Sequence, residues 1–262
     1  MSWQMICAGS EIKNVAFVGS GKVANGLANI FYKANIKITG ISSRNKITGK
    51  ALALTVDAPF FDTINDLQAD LVIVAVADKF VIEVVSKFPE SQLVAFTAGS
   101  VFLNDLNATQ NRAVFYPLQS FTEGRQLNIN QVPILLETTS FFLDNFLYSF
   151  CENAGFDARY CDSETRKKIH LSAVFVNNFV NHIVYLAKDE VEKNDLDWTL
   201  FEPLMTETIE KLKSLSPFDA QTGPAKRNDQ EIIEKHLELL SGRKKEIYEL
   251  LSKSISETYV KK

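Results

Sequence analysis

A strand, a glycine turn and a helix start follow one another within thirteen residues near the N-terminus, residues 14–26. The apolar run at 15–18 is typical of a central strand in a parallel sheet, because such strands are covered on both faces. Gly19 would let the chain turn sharply out of the strand, and Gly21 would leave room for a phosphate beside the backbone. The pattern predicts a phosphate-binding turn in which the unpaired N–H groups of the following helix face an anion.

Ala24 is the third small residue of this turn and completes the spacing G-x-G-x-x-A. A helix at 22–34 and an apolar run at 36–41 follow, so the segment has the length of a strand-helix-strand unit that binds a dinucleotide. A purely structural glycine turn is the alternative. The predicted cofactor-binding residues of this unit are Gly19, Ser20, Gly21, Lys22, Val23 and Ala24.

The end of the second strand, residues 41–44, predicts which ribose the site prefers. A site for NAD places an Asp or Glu here to bind the 2′-hydroxyl, whereas this segment holds Ser42, Ser43 and Arg44. The Arg44 guanidinium suits a 2′-phosphate, Ser43 can donate to it, and Lys46 is a second cation nearby. NADP is therefore predicted over NAD, with a solvated Arg44 at a helix start as the alternative.

Further small and polar residues follow the next strands, at the edge of the sheet where ligands bind in parallel folds. Ala77 and Asp78 come directly after the apolar strand at 69–76, and a small-residue turn follows the strand at 93–96. Asp78 could cap a helix at 79–87 or border the cofactor, and capping is favoured. The predicted cofactor contacts are Ala77, Asp78 and Thr97, and the predicted substrate contacts are Gly99, Ser100, Gln119 and Ser120.

Strand-like runs end near residue 160, and the rest of the chain has helical patterns only. The fold class predicted is α/β, with an N-terminal doubly wound, mostly parallel Rossmann sheet followed by an all-α C-terminal domain. The expected domains are 1–161 for cofactor binding and 162–262 as the helical part. A long helix at 164–193 places His170, Asn177 and Asn181 on one stripe if it keeps 3.6 residues per turn.

Composition excludes several classes of function. A net charge of −4 argues against general nucleic-acid binding, although residues 13–55 contain seven basic side chains and no acidic one. Cys7, Cys151 and Cys161 have no metal-binding or disulfide spacing, so reduced thiols and a cytoplasmic protein are expected. No signal-like leader or membrane-length apolar run is apparent in the sequence, and neither a membrane partner nor a metal is predicted.

With these segments in place, the chain resembles the DUF2520 family of NADP oxidoreductase-like proteins. This family belongs to the 6-phosphogluconate dehydrogenase-like group, which includes pyrroline-5-carboxylate reductase. The resemblance implies an NADP-binding domain, a cleft between domains and a helical domain that forms a homodimer. The blocks that carry it are residues 19–24, 42–44, 97–100, 116–121, 170–178, 222–229 and 236–237.

Two departures from the family pattern limit the transfer of catalytic roles. Tyr116 stands where the family usually has a histidine. Related dehydrogenases place a lysine four residues before a catalytic asparagine, but here Ala173 precedes Asn177 and Val174 precedes Asn178. The lysine–asparagine pair of those relatives therefore cannot be transferred to this chain.

The expected function is hydride transfer between NADPH and a small carbonyl or imine substrate. Imidazole ordinarily titrates near neutrality, so His170 is the predicted acid, with Asn177 orienting the substrate and Tyr116 as a second donor. Arg227 is expected to hold a substrate carboxylate or phosphate, or else to form a structural ion pair with Asp229. The alternatives are a non-catalytic NADP sensor, and an enzyme that exchanges hydride with deazaflavin F420 in a second pocket.

Overall fold

One mostly parallel sheet organises the first part of the chain in the computed structural model, which describes residues 11–106 and 111–259. Within those residues eight strands have the order β3-β2-β1-β4-β5-β6-β7-β8, and β6 with β7 is the antiparallel pair. The predicted fold class is therefore confirmed. The strands are β1 (Asn14–Val18), β2 (Lys37–Ser42), β3 (Phe60–Phe61), β4 (Leu71–Val74), β5 (Val94–Phe96), β6 (Arg112–Pro117), β7 (Ile134–Thr138) and β8 (Ala158–Tyr160).

Two apolar cores cover the two faces of this sheet. Val15 and Phe17 of β1 belong to one core, whereas Ala16 and Val18 belong to the other. Successive side chains of a strand point to opposite faces, so a strand buried on both sides must be apolar throughout. This explains why the central strands read as continuous hydrophobic runs. The order of the strands reverses between β1 and β4, and the crevice at such a reversal is where ligands bind in open sheets.

Helices cover both faces of the sheet, and after β8 the described elements of the chain are helices alone. The bounds are α1 (Lys22–Lys33), α2 (Lys46–Thr55), α3 (Val81–Val85), α4 (Phe141–Ala154), α5 (Ser163–Ala173), α6 (Val180–Lys193), α7 (Glu202–Glu210), α8 (Pro217–Ala220), α9 (Gln230–Leu239) and α10 (Gly242–Tyr259). Asn45 caps α2 by accepting from the N–H groups of Ile47 and Thr48, and Gly155 ends α4 in a left-handed conformation.

Phe31 of α1 is the centre of an aromatic cluster on one face of the sheet. Its ring lies 5.5 Å from Phe17, 5.9 Å from Phe115, 5.9 Å from Phe150 and 5.4 Å from Phe156, measured between ring centroids. Truncating a fully buried phenylalanine costs about 3–5 kcal/mol. The cluster therefore fixes α1, and with it the turn at the start of that helix, against the sheet.

A buried arginine and two buried thiols are structural. Arg112 of β6 is fully buried and donates to the carbonyls of Gln92 at 2.9 Å and Phe88 at 3.0 Å. Among the residues that the structure describes, Cys151 and Cys161 are free, buried thiols, as the reduced state predicted requires. Cys7 lies outside the described residues, as do all of residues 1–10, where no signal-like leader is predicted.

The chain divides into two compact units, Met1–Asn178 and Phe179–Lys262. The division lies within a π-helical segment, Val174–Phe179, that joins α5 to α6. It differs from the boundary predicted at residue 161 because α5 packs on the first unit through Arg166. The second unit consists of helices, and Lys244 of α10 pairs there with Asp189 and Glu190 of α6 at 2.6 Å each.

The joined helical stretch Ser163–Lys193 is the one segment of the described chain that is long and apolar enough to cross a membrane by length and composition. Over 18 of its residues the mean hydropathy is 1.2. A helix with an apolar face for a protein partner passes the same test. The absence of a membrane partner therefore stays a prediction.

Candidate active site

The two glycines of the first turn serve different purposes. Gly19 has a φ of +115°, and a Cβ there would lie 2.2 Å from the carbonyl oxygen of Ala75. Any side chain at Gly19 would therefore clash with the backbone of the segment that follows β4. At Gly21, by contrast, a Cβ would meet nothing within 4 Å. This open space beside the N-terminus of α1 fits a phosphate of a dinucleotide.

The other residues of the predicted phosphate turn divide between the core and the surface. Ala24 is fully buried and Val23 packs against the same core, so their side chains secure the helix. Lys22 lines a separate cavity of about 440 Å³ beside the glycine turn. The Ser20 hydroxyl lies 2.7 Å from the Ser43 hydroxyl and 2.7 Å from that of Thr48. Ser20 therefore joins the glycine turn to the end of β2 and the start of α2.

A cavity of about 790 Å³ opens between the glycine turn and the ends of β2 and β4. Arg44 lies in its wall, with its guanidinium carbon 5.0 Å from the centroid of the Phe80 ring, and the ammonium of Lys79 is also 5.0 Å from that centroid. Ser43, Ala77 and Gly21 line the same cavity. The cavity brings together the residues predicted for the adenosine half of the cofactor.

Lys46 is not the free second cation that the sequence suggested. Its ammonium pairs with the carboxylate of Asp62 at 2.8 Å, and the hydrogen bond from Lys46 holds the pKa of Asp62 below its ordinary value. Both side chains are exposed, so the pair adds little stability. Its effect is to leave Arg44 as the cation at the end of β2 that is available for an anion.

The favoured role of Asp78 as a helix cap is wrong. The segment predicted as one helix is a 3₁₀ turn, Asp78–Phe80, followed by α3, and neither start has a side-chain cap. The Asp78 carboxylate instead accepts a hydrogen bond from the Ser100 hydroxyl. This bond joins the segments that follow β4 and β5, next to Thr97, whose N–H donates to the carbonyl of Val74 at 3.1 Å.

Tyr116 and His170 meet at the edge of the sheet. The phenolic oxygen of Tyr116, at the end of β6, lies 2.9 Å from Nδ1 of His170 on α5. Gly99 makes the approach possible, since a Cβ there would lie 2.9 Å from Cε2 of Tyr116 and 3.0 Å from Nδ1 of His170. Burial raises the pKa of Tyr116, and the charge of Asp78 raises it further, whereas that of Arg166 lowers it. The phenol therefore stays protonated through the neutral range.

Other predicted site residues are not part of this cluster. Asn177 is exposed within the π-helical segment, whose wider turn ends the regular 3.6-residue stripe expected from His170. The Gln119 side chain donates to the carbonyl of Gln131 at 2.8 Å, and its own oxygen accepts from the N–H of Ser120. Both groups thus stabilise their own loop. Arg227 is exposed in the second unit.

Sequence reasoning missed three residues that support this site and one that lines the cavity. Glu137, Ser163 and Arg166 form a hydrogen-bonded cluster in which Ser163 and Arg166 are buried, and Arg166 lies one helical turn before His170. These residues are too far apart along the chain to form a recognisable motif, and a single arginine on a polar helix face does not indicate a buried cluster. Phe80 could have been noticed as an aromatic residue three positions after Ala77 at the end of a strand.

Two family models match the chain. One is described as a domain of unknown function, DUF2520, and matches residues 132–255; the other is described as a coenzyme F420-dependent NADP oxidoreductase and matches residues 14–98. The crystal structure of BF3122 from Bacteroides fragilis, named as a proposed NADP oxidoreductase, is 32% identical over 94% of this chain and 98% of that chain, with a TM-score of 0.86. The chain belongs to the DUF2520 family. The fold and the family together support a nicotinamide cofactor in this DUF2520-family protein.

More distant structures share the fold of the DUF2520-family chain. Protein TM1727 from Thermotoga maritima is 23% identical over 94% of this chain and all (100%) of that chain, with a TM-score of 0.69. A 1-pyrroline-5-carboxylate reductase from Streptococcus pyogenes is 18% identical over 93% and 98% of the two chains, with a TM-score of 0.60. A comparison with curated proteins found no match.

Proposed function

We propose that the protein is an NADP-dependent oxidoreductase that reduces a C=O or C=N group of a small molecule, with the Tyr116–His170 pair as its proton donor. The observation that carries the proposal is the 2.9 Å contact between these two side chains at the ligand-binding edge of the sheet. Membership of an oxidoreductase-like family supports the reaction class.

The residues present fit a dinucleotide. Gly21 leaves open space beside the N-terminus of α1, and the cavity of about 790 Å³ extends from it to Arg44 and Phe80. We assign the pyrophosphate to the turn at Gly19–Lys22 and the adenosine to that cavity. The absence of a carboxylate at the end of β2 favours a 2′-phosphate, which Arg44 and Ser43 would bind. Ala77 and Thr97 would border the remainder of the cofactor.

Proton supply follows from the pair itself. When bound, the reduced nicotinamide supplies a hydride to the substrate carbon. A neutral Tyr116 and a neutral His170 carry two exchangeable protons between them, and their mutual hydrogen bond uses one. In either tautomer of His170 the other proton remains available, as a ring N–H or as the phenolic O–H. The pair can therefore protonate the heteroatom of the substrate and end as tyrosinate beside neutral imidazole, because loss of the ring N–H would be made good by the phenolic proton passing to Nδ1 across the 2.9 Å contact.

Substrate contacts extend the proposal. Gly99 lies against the pair, and Ser100 follows it directly. Gln119 and Ser120 remain candidates from the family resemblance, with Asn177 as a group that orients the substrate. Arg227 is proposed to hold a carboxylate or phosphate of the substrate.

Turnover of NADPH tests the proposed reaction. The pure protein is mixed with NADPH and a panel of small keto acids and cyclic imines, and the loss of NADPH absorbance is followed. His170→Asn and Tyr116→Phe should each reduce turnover on the order of 10²–10⁴-fold while NADPH still binds. The matched control is His236→Asn, because His236 bonds the hydroxyl of Tyr248 at 2.7 Å in the second unit.

The outcomes separate an enzyme from a sensor. Consumption of NADPH that is lost in His170→Asn and retained in His236→Asn supports the proposal. Tight NADPH binding without turnover of any compound favours the non-catalytic sensor. Equal loss in both histidine variants would show that the assay reports general damage to the protein.

We also propose that the second unit forms a homodimer. Of its described residues, only Val191, Ala220, Ala225 and Ile233 are buried, although the unit has several amphipathic helices. A helical unit of this size needs a larger core to be stable, and a second copy of the same surface would supply one. The exposed apolar residues include Val180, Ile183, Leu204, Ile209, Leu212, Leu250 and Leu251.

Size measurement tests the dimer. Light scattering during gel filtration should give twice the mass of one chain at micromolar concentration. Ile209→Glu should shift the protein towards the monomer or prevent its folding, whereas Leu54→Glu should not, because Leu54 is 85% exposed on α2 of the first unit. A wild-type protein that is monomeric at every concentration contradicts the proposal.

A cytoplasmic location stays a proposal that fractionation of cells can check.

A further inference from the structure

A buried guanidinium lies one helical turn before His170. Arg166 on α5 is 1% exposed. It donates to the Glu137 carboxylate on β7, to the carbonyl of Val101 at 2.7 Å and to the Ser163 hydroxyl at 3.1 Å. A buried charge is costly unless partners of this kind surround it. The cluster therefore resists any movement that would separate the guanidinium from its acceptors.

Ser163 connects the same elements a second time. Its hydroxyl donates to the Glu137 carboxylate at 2.7 Å and accepts from the N–H of Leu103 at 3.1 Å. Val101 and Leu103 both belong to the segment that follows β5. Helix α5, strand β7 and this segment are thus joined through one set of hydrogen bonds.

We propose that Arg166, held by Glu137 and Ser163, is a positioning residue that fixes His170 against Tyr116; this rests on the function proposed above for that pair. Residues four apart on a helix share a face, so Arg166 and His170 both face the sheet side of α5. Val101 lies two residues after Gly99, which leaves the space where the pair meets. The cluster thus fixes both the helix that carries the imidazole and the turn against which it packs.

The charge of Arg166 acts on the pair as well. It lowers the pKa of Tyr116, opposite in direction to burial, which is the larger effect, and to the charge of Asp78. A lysine at this position would keep a positive charge but could not donate to Glu137, Val101 and Ser163 from one planar group. The arginine side chain is therefore specific to the position.

Ring-nitrogen NMR of the histidines tests the inference without relying on catalysis. The chain has three histidines, so ¹⁵N-histidine labelling gives a simple spectrum, and loss of a signal in His170→Gln assigns that residue. In the wild type the Nδ1 signal of His170 should have the shift of a hydrogen-bonded nitrogen. In Arg166→Lys and in Glu137→Gln it should move towards the position found in Tyr116→Phe, where the bond is absent.

Arg112→Lys is the matched control. Arg112 is also a fully buried arginine, on the same strand as Tyr116, but its bonds go to backbone carbonyls around α3 and β5. Its replacement should damage stability without moving the His170 signal. A His170 signal unchanged in folded Arg166→Lys and Glu137→Gln overturns the inference, as does an equal shift in Arg112→Lys. If Arg166→Lys does not fold, Glu137→Gln and Ser163→Ala decide.

Kinetics provide a second readout once a substrate is known. Misplacing a catalytic group by about 1 Å can cost on the order of 10²-fold in rate. Arg166→Lys and Glu137→Gln should lower kcat by about 10- to 100-fold while KM for NADPH changes by less than about threefold, because the cofactor residues are not touched. A change in KM for NADPH with normal kcat would refute the positioning role. A protein without turnover would refute the proposed function, whereas the NMR result would still decide whether Arg166 holds the pair.

Discussion

Arg44→Ala should convert a preference for NADPH into near indifference between NADPH and NADH. The Arg44 side chain is exposed at the end of β2 and rests on the Phe80 ring at 5.0 Å. Its removal exposes one face of that ring but disturbs no buried group, so the fold should be unaffected. The substitution therefore isolates the guanidinium as a ligand for the 2′-phosphate.

The size of the effect follows from what Arg44 would donate. A hydrogen bond to a charged group contributes roughly 1.5–3 kcal/mol, and solvent at this exposed position favours the lower half of that range. The expected loss for NADPH is therefore about 10- to 40-fold in Kd. Lys46 should not compensate, since its ammonium pairs with Asp62 at 2.8 Å. NADH lacks the 2′-phosphate and loses only stacking on the side chain, about threefold or less.

Titration calorimetry of NADPH and NADH against wild type, Arg44→Ala and Lys50→Ala measures this difference. Lys50 is a basic residue of α2 whose ammonium lies 5.9 Å from the Phe60 ring. Its replacement removes the same charge from the same region without removing a proposed phosphate ligand. Two results would refute the reasoning: an unchanged affinity of Arg44→Ala for NADPH, or equal losses for both nucleotides. An equal NADPH loss in Lys50→Ala would mean that only the general basic character of the region matters.

Three further predictions concern the glycines and a buried thiol. Gly21→Ala should leave the melting temperature nearly unchanged, because the added Cβ meets no protein atom. It should weaken NADPH binding by at least about tenfold, because that Cβ would occupy the proposed phosphate space. Calorimetry that shows wild-type affinity would place the phosphate elsewhere. Gly26→Ala should lower the free energy of unfolding, measured in urea, by about 1–3 kcal/mol, because its Cβ would lie 2.1 Å from Cδ1 of Phe121. Adding Phe121→Ala should restore most of that loss. Burial raises the pKa of Cys151, so the unfolded chain releases this thiol proton near pH 8.5 while the folded chain keeps it. The free energy of unfolding should therefore fall by about 1.4 kcal/mol per pH unit above that value. In Cys151→Ser the free energy of unfolding, measured between pH 8 and 10, should lose this part of its pH dependence.

The sheet could be predicted from sequence because its signals are local. Apolar runs of strand length, the spacing of Gly19 and Gly21, and the change to helical patterns after residue 160 each lie within one short segment. The divided helix at Asp78–Val85 and the π-helical segment Val174–Phe179 could not be predicted. Their side chains are compatible with an ordinary α-helix, so no local pattern marks the departure from it.

Only part of the candidate site was predictable as residues, and its contacts were not. Tyr116 and His170 were each expected as donors, yet their mutual hydrogen bond joins positions 54 residues apart. The bond between Ser100 and Asp78 and the pairing of Lys46 with Asp62 are equally non-local, and both changed the role expected for a residue. Local rules such as capping preference or a nearby cation cannot anticipate a partner from another strand.

The two departures from the family pattern have a common physical consequence. Without a lysine before Asn177 or Asn178, no ammonium is available from those positions, and the Tyr116–His170 pair is the proton donor proposed in its place. Tyr116 replaces the usual histidine, and because burial raises its pKa, it can give His170 a hydrogen-bonding partner that stays protonated. If the phenol donates to Nδ1, His170 keeps its proton on Nε2 and presents it away from Tyr116. A histidine at position 116 could itself change charge near neutrality, and the pair would then have no fixed direction of donation. The tyrosine thus supports the proposed role of His170 as proton donor, and the loss of turnover expected in Tyr116→Phe should arise from a changed tautomer of His170 as much as from the missing hydroxyl.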